Sequence, residues 1–93
     1  MNDMVVSILL PGMLRVLANG QERAQVTGNT TLECLEDLES QFPAVRDWIR
    51  DGEGELLSYV QFFVNGERVH GDDLSRLLKS GDEIAIIVAM GGG

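Results

Sequence analysis

The stretch Glu83–Ala89, with the sequence EIAIIVA, constrains the fold of this chain more than any other segment. It is wholly apolar after its first residue, which is typical of a strand buried on both faces in the middle of a sheet. Met4–Leu10 is rich in Val, Ile and Leu and predicts another strand. The simplest arrangement places the two strands side by side and parallel, joined by a right-handed crossover that contains a helix. The sequence therefore predicts an α+β roll, in which one main helix packs across a mixed sheet of four or five strands.

The main helix begins near Thr30, because Thr30 and Glu33 have the spacing of a capping box. Apolar side chains then recur at intervals of three or four residues, which places them on one face of a helix: Leu32, Leu35, Leu38 and Phe42. Pro43 fits the first turn of a second, short helix. The apolar side of that helix would consist of three residues: Val45, Trp48 and Ile49. An acidic loop, Asp51–Glu55, follows it.

Arg23–Thr27 predicts a short, polar strand at an edge of the sheet. Asn19-Gly20 is a strong turn signal, and in a hairpin it would form a type I′ turn. Met13–Ala18 either prolongs the first strand or forms a loop, and its residues do not decide between the two.

Tyr59–Asn65 shows the clearest alternation of the chain, with Val60, Phe62 and Val64 on one face and Tyr59, Gln61 and Phe63 on the other. After a turn, Glu67–His70 forms a return strand and Asp72–Leu78 a short helical turn. One face of Tyr59–Asn65 meets the main helix. The exposed face would carry a docking site for a partner, formed either by Phe62 or by Tyr59 with Phe63. Both sets are apolar enough to leave this choice open, and the short helix Pro43–Asp51 or a loop is an alternative cover for the exposed face.

The composition is that of one globular domain, and it limits the partners. The chain has 93 residues, 7 Lys plus Arg against 15 Asp plus Glu, and a formal net charge of -8. Nucleic acids and anionic membranes are disfavoured, because both are bound through clustered basic residues. A partner with a basic surface is favoured. We expect a cytoplasmic protein, since the chain has a single cysteine, no secretory signal pattern and no apolar stretch long enough to span a membrane.

Catalytic residues are scarce in this sequence. His70 is the only histidine and lies beside a turn signal, which favours a solvated side chain over a general base. Cys34 lies at the edge of the helical apolar stripe and is expected to act as a small buried hydrophobe. No cluster of residues has the spacing of a metal site. We therefore expect a protein that is not an enzyme and binds no metal.

The last three residues, Gly91, Gly92 and Gly93, form a poor structural element, because glycine loses the most conformational entropy on ordering. Without side chains, such a segment can enter a channel that excludes every other residue type. It can thereby deliver the carboxylate of Gly93 to a nucleotide held by another protein. We expect residues 1–90 to form the domain and residues 91–93 a flexible tail; a frayed terminus or a linker is the alternative.

Three segments together resemble the ubiquitin-like sulfur carriers: Tyr59–Val69, Leu77–Ala89 and the glycine end. This family includes the small subunit of molybdopterin synthase, the thiamine sulfur carrier and the CysO-like carriers of cysteine biosynthesis. The resemblance implies the β-grasp fold over essentially the whole chain. It also implies that an activating enzyme, using ATP and magnesium, adenylates the carboxylate of Gly93, and that sulfur then converts it to a thiocarboxylate. The carrier would present this sulfur to an acceptor synthase, and Gly91 and Gly92 would form the slender approach. A ubiquitin-like modifier joined to lysines of target proteins is the alternative.

The sequence departs from the family pattern in two places. The family usually ends in two glycines, and this chain ends in three, which leaves open whether Gly93 or an earlier glycine, exposed by a protease, is the mature end. The chain is also longer than typical thiamine and molybdopterin carriers, and the extra length lies at Pro43–Ser58, as in CysO-like carriers. This resemblance favours an amino acid or another small metabolite as the sulfur acceptor over molybdopterin or thiamine thiazole.

Overall fold

A computed structural model describes residues 4–89 of the chain. Its five strands are β1 (Val5–Leu9), β2 (Arg23–Thr27), β3 (Val60–Val64), β4 (Glu67–Val69) and β5 (Glu83–Val88). Its α-helices are α1 (Gly12–Arg15), α2 (Thr31–Gln41) and α3 (Pro43–Ile49), and two 3₁₀ helices span Val16–Ala18 and Gly71–Ser75.

The strands form one mixed sheet in the order β2-β1-β5-β3-β4. β5 lies in its middle, parallel to β1 and antiparallel to β3. The predicted edge position of β2 and the parallel pairing of the first and last strands are therefore confirmed. The prediction that the last strand is buried on both faces is wrong. Ile84 and Ile86 are buried, whereas Ile87 is 46% exposed.

The core lies between one face of the sheet and α2. Leu35 and Leu38 of α2 are fully buried against Ile8 of β1 and Ile84 of β5. The capping box is present: the Glu33 backbone N–H donates to Oγ1 of Thr30 at 3.1 Å, which holds the first turn of α2. The predicted helical stripe is shifted, because the other buried positions are Thr31 and Cys34, whereas Leu32 and Phe42 are only partly buried.

The segment Met13–Ala18 is helical, so both predictions for it were wrong. Pro11 starts α1, and its carbonyl accepts hydrogen bonds from the backbone of Leu14 at 2.9 Å and Arg15 at 3.2 Å. Leu14 and Ala18 are four residues apart and fully buried, which is the spacing of one helical face. The turn predicted at Asn19-Gly20 is confirmed, because both residues have positive φ, at 60° and 79°, and the Gln21 N–H donates to the Ala18 carbonyl at 3.2 Å. It follows a helical segment and does not join two strands directly.

Two more local predictions were wrong. Trp48 is 48% exposed, because Val45 and Ile49, four residues apart, form the buried face of α3. The helical turn predicted at Asp72–Leu78 ends at Ser75. Leu77 beyond it is 76% exposed and forms an isolated bridge with Thr30.

Candidate functional site at the carboxyl end of β5

The predicted reactive end, Gly91 to Gly93, and Met90 before it lie outside the described residues. The structure describes the strand that precedes them. β5 ends at Val88, which pairs with Val60 of β3. The backbone N–H of Ala89, the next residue, donates to the Tyr59 carbonyl at 2.8 Å. The described part of the chain thus ends at Ala89, on the middle strand of the sheet and held to a neighbouring strand. We call this end of β5 the exit of the tail.

The face of the sheet opposite α2 has no helix packed on it within residues 4–89. Helix α3 lies on the other side, because Val45 and Ile49 belong to the same core cluster as the α2 leucines. The alternative in which Pro43–Asp51 covers this face is therefore wrong. We call this surface the open face.

The structure decides which aromatic residues the open face carries. Phe62 is only 3% exposed and packs in the core, so its predicted place at a docking site is wrong. Tyr59 is 43% exposed, and Phe63 is partly buried on the face opposite Phe62. The alternation from Tyr59 to Val64 thus places Tyr59 and Phe63 on the open face.

The strand register shows what surrounds Phe63. Leu9 of β1 pairs with Ala85 of β5, and Ala85 pairs with Phe63 of β3, so an apolar row crosses the three inner strands. The same row ends at Arg23 on β2 and at Arg68 on β4. The row is therefore an apolar strip with an arginine at each edge of the sheet.

Ile87 extends this strip toward the end of β5, and sequence reasoning missed it. Its backbone pairs with Gln61, and its side chain is 46% exposed on the open face. The missed signal is the strict alternation of β5, because a buried Ile84 and Ile86 require Ile87 to point the other way. Ile87 and Tyr59 place exposed apolar surface next to Ala89, at the end of the described part of the chain.

One ion pair crosses the open face beside the strip. Nε of Arg23 donates to Oε2 of Glu83 at 2.7 Å. This hydrogen bond, with the attraction of the Glu83 charge, raises the pKa of Arg23 above its ordinary value. Both side chains are substantially exposed, so solvent screens their attraction and the pair adds little to stability. Its main effect is to fix the position of Arg23 at one edge of the strip.

A polar cluster lies at the other end of β5, where the β3–β4 turn meets the start of the strand. The Asp82 carboxylate accepts the Lys79 backbone N–H at 2.8 Å and Nδ2 of Asn65 at 2.7 Å. These two hydrogen bonds, in that order of size, hold the pKa of Asp82 below its ordinary value. Because the cluster consists of turn and cap contacts, it supports the fold rather than a reaction.

The segment that carries the extra length is held firmly. Nε of Arg50 donates to Oε2 of Glu39 at 2.5 Å, and its Nη1 donates to the Gly54 carbonyl at 2.9 Å. Both charged side chains of this pair are largely buried. The Asp51 carboxylate accepts the backbone N–H groups of Glu53 and Glu55. The acidic loop is therefore a fixed feature next to α3.

The residues considered for catalysis are far from a catalytic arrangement. His70 is exposed at the end of β4, and Cys34 is fully buried in α2. Among the described residues, no group of three or more His, Cys, Asp or Glu side chains is placed to hold a metal ion. None of the helices in residues 4–89 is long and apolar enough to cross a membrane.

A five-stranded mixed sheet, with its main helix across one face and its last strand in the middle, defines the ubiquitin-like β-grasp class. The ThiS family profile matches residues 8–93, and the chain therefore belongs to the ThiS family. This confirms the fold and the sulfur-carrier class predicted from the sequence.

Individual relatives agree with this assignment. The sulfur carrier protein CysO of Mycobacterium tuberculosis is 29% identical, and the match covers 97% of this chain and 100% of the relative. A crystal structure of an Amycolatopsis orientalis BexX/CysO complex matches with a TM-score of 0.81 and 29% identity, over 95% of this chain and 99% of that one. The small archaeal modifier protein 1 of Methanosarcina acetivorans matches with a TM-score of 0.82 and 28% identity, over 100% of both chains.

Proposed function

We propose that this sulfur carrier works through a thiocarboxylate on Gly93. The Gly93 carboxylate attacks the α-phosphorus of ATP, held with magnesium by an activating enzyme related to that of ubiquitin, and pyrophosphate leaves. Hydrosulfide then attacks the carbonyl carbon of the acyl-adenylate, and AMP leaves. The product donates its sulfur to an acceptor synthase. The carrier itself supplies no catalytic group in this scheme, and the cytoplasm remains the predicted compartment.

The observation that carries this proposal is the path of β5. Its last backbone contacts, Val88 with Val60 and Ala89 with Tyr59, hold the strand in the middle of the sheet up to the last four residues of the sequence. Four extended residues span at most about 14 Å. A domain anchored in this way fixes the point from which the last four residues begin, and three of these four are glycines. This suits delivery of a carboxylate into another protein's active site.

The acceptor we favour is an amino acid precursor or another small metabolite. The similarity to CysO over nearly the full length of both chains supports this choice. The segment Pro43–Ser58, held by Arg50 and Glu39, is the same extra length on which the sequence comparison with CysO-like carriers rested. Molybdopterin and thiamine thiazole are the less favoured acceptors.

We further propose that the partner enzymes dock on the open face through Tyr59, Phe63 and Ile87. Exposed apolar surface in a patch marks interaction sites on many soluble proteins. Here the patch adjoins the exit of the tail, so a partner that receives the tail is already next to it. Arg23 and Arg68 at the strip's two edges fit acidic groups at the rim of that partner's surface, whereas the acidic remainder of the chain fits basic groups farther out.

Intact-mass measurement tests the proposed reaction. The protein is incubated with the activating enzyme encoded in its genome, ATP, magnesium and sulfide. We expect a mass gain equal to the difference between one sulfur and one oxygen, localised to the Gly93 peptide. A variant that lacks Gly92 and Gly93 is the control and should show no gain. A wild-type chain that forms neither adenylate nor thiocarboxylate would contradict the proposal.

A second function, protein modification, is favoured by one observation, the match to small archaeal modifier protein 1. In this case the acyl-adenylate or a thioester made from it would be attacked by lysines of target proteins. The experiment is a denaturing gel of cell extract that contains the tagged protein. Conjugates of high mass that disappear when the glycine tail is removed would support modification, and their absence alongside thiocarboxylate formation would leave sulfur transfer as the function. If the mature end is an earlier glycine, a tail-processing protease is a further partner.

A further inference from the structure

The chain uses arginine for almost all of its positive charge. Of its 7 basic residues, Lys79 is the only lysine. The two residue types differ in reactivity, because a guanidinium stays protonated in proteins whereas an ammonium group releases a nucleophilic amine. An amine that attacks an acyl-adenylate forms an amide, expels AMP and loses one proton. A chain whose carboxylate is activated is therefore exposed to self-acylation through its amines but not through its arginines.

Lys79 lies far from the point where the tail leaves the sheet. Its backbone N–H donates to Oδ2 of Asp82 at 2.8 Å, and its carbonyl accepts the Asp82 N–H at 3.1 Å, so the turn is held at the first end of β5. Ala89 is seven residues beyond Asp82 along the strand direction, a distance of about 23 Å. The four residues after Ala89 span at most about 14 Å when fully extended. The last four residues are therefore too short to reach back from Ala89 to the Asp82 end of β5. A lysine side chain at Lys79 would have to be fully extended toward a fully extended tail even to approach it.

The cations at the tail end of the molecule are arginines. Leu10 follows β1, which runs parallel to β5, and its carbonyl accepts a hydrogen bond from Nε of Arg15 at 2.8 Å. Arg50 follows α3, and the last residue of α3, Ile49, accepts the Leu57 N–H just before β3 begins. Each of these side chains makes a contact that holds the fold, and neither offers an amine near the exit of the tail.

We propose that this arrangement is a specificity determinant: the chain keeps side-chain amines out of reach of its own activated carboxylate, so that the acyl group passes to sulfur. The inference rests on the proposed adenylation of Gly93. It adds that side-chain amines of the same chain are kept from attacking the adenylate, and that their distance from the tail is the reason. The determinant has two parts. Lys79 lies near the start of β5, opposite the tail, and the basic residues near the end of β5, Arg15 and Arg50, are arginines.

The test introduces a lysine beside Ala89, at the end of β5 opposite Lys79, which is the only lysine of the chain. Ser58 is exposed and directly precedes Tyr59, whose carbonyl binds the Ala89 N–H. Ser58→Lys places an amine within reach of the tail, and Ser58→Arg adds the same charge without an amine. Arg76→Lys adds an amine at the end opposite the tail and keeps the charge. All three variants and the wild type are incubated with the activating enzyme, ATP, magnesium and sulfide, and their intact masses are measured.

We expect the wild type, Ser58→Arg and Arg76→Lys to gain sulfur equally. Ser58→Lys should instead lose one water as a monomer, with a tandem mass spectrum that joins Gly93 to the introduced lysine. Its thiocarboxylate yield should fall by about tenfold or more, because a tethered amine has an effective concentration far above that of added sulfide.

Two results would overturn the inference. One is a Ser58→Lys variant that gains sulfur as fully as Ser58→Arg, and the other is a wild-type monomer in which Gly93 is joined to Lys79. In both cases the wild type is still activated, which distinguishes them from failure of the proposed function, where no wild-type adenylate or sulfur gain is seen. Circular dichroism of the two Ser58 variants shows whether both retain the wild-type fold.

Discussion

The two faces of the sheet are made by the same strands but have different surroundings. On the side of α2, Phe62, Ile84 and Ile86 are at most 3% exposed. On the open face, residues next to them in sequence remain accessible: Ile87 is 46% exposed and Phe63 is partly buried. The comparison teaches that apolar character alone does not assign a residue to the core. The position of α2 does, because it fixes which half of each alternating strand is covered.

The two faces also contribute to different properties, the covered face to folding stability and the open face to partner binding. Side chains toward α2 lose their water on folding, and each contributes stability in proportion to the area that it buries. Side chains on the open face keep part of their contact with water in the free protein. Burying them against a partner would therefore stabilise the complex in proportion to the apolar area removed from water. We therefore expect substitutions on the two faces to affect different measurements.

Phe62 and Phe63 give the largest expected contrast, because they are adjacent and of the same type. Phe62→Ala should lower the free energy of unfolding by about 3–5 kcal/mol, through lost burial and the cavity left in the core. Phe63→Ala should cost clearly less, about 1–2 kcal/mol, since Phe63 is only partly buried and its truncation leaves no closed cavity in the core. Urea unfolding followed by circular dichroism measures both. Equal losses for the two variants would mean that the open face is covered in solution.

Ile87 and Val5 provide the next contrast, within the open face itself. Both are exposed, at 46% and 60%, but Ile87 adjoins the exit of the tail and Val5 begins β1 at the opposite end of the sheet. Ile87→Asp should raise the KM of the activating enzyme for the carrier by about tenfold, because a charge replaces an apolar contact in the proposed interface. Pyrophosphate release at varied carrier concentration measures this effect.

Val5→Asp is the matched control for that measurement, since it places the same charge on the same face away from the tail. Its KM should stay near the wild-type value. If both variants raise KM alike, the effect comes from the added negative charge in general, and the docking surface is not confined to the tail end.

The sequence allowed the succession of strands along the chain and the central position of β5 to be predicted, because apolar runs and turn signals act locally. It did not decide the faces of β3, since Val60 and Phe62 on one side are matched by Tyr59 and Phe63 on the other. That choice depends on where α2 packs, which is a tertiary contact. The helical segment around Leu14 was missed for a similar reason, because its two buried residues become a helical face only once the core is present to bury them.

The reactive end was predicted from composition and resemblance, and Gly93 remains a prediction because it lies outside the described residues. The open-face arginines were missed, since Arg23 and Arg68 are 45 positions apart in the sequence and meet one apolar row only through the register of five strands. Pairing across the sheet is information that a linear pattern does not contain.

The smallest expected effect concerns Asp82. It tests how much the polar contacts at one end of the sheet contribute to the free energy of unfolding, compared with the buried apolar face. Hydrogen bonds from Lys79 and Asn65 hold the folded-state pKa of Asp82 below its ordinary value of 3.8. A lowered pKa means that the folded protein binds the proton more weakly than the unfolded chain. The resulting stability is therefore fully present above pH 3.8 and is lost as the pH falls through the folded-state value. Because the carboxylate is near solvent, we expect less than about 1 kcal/mol from it.

Asp82→Asn should be slightly less stable than the wild type in urea at pH 6, and the difference should close below pH 3.8. A difference that persists unchanged at low pH would show that the contribution of Asp82 comes from its geometry in the turn rather than from its charge.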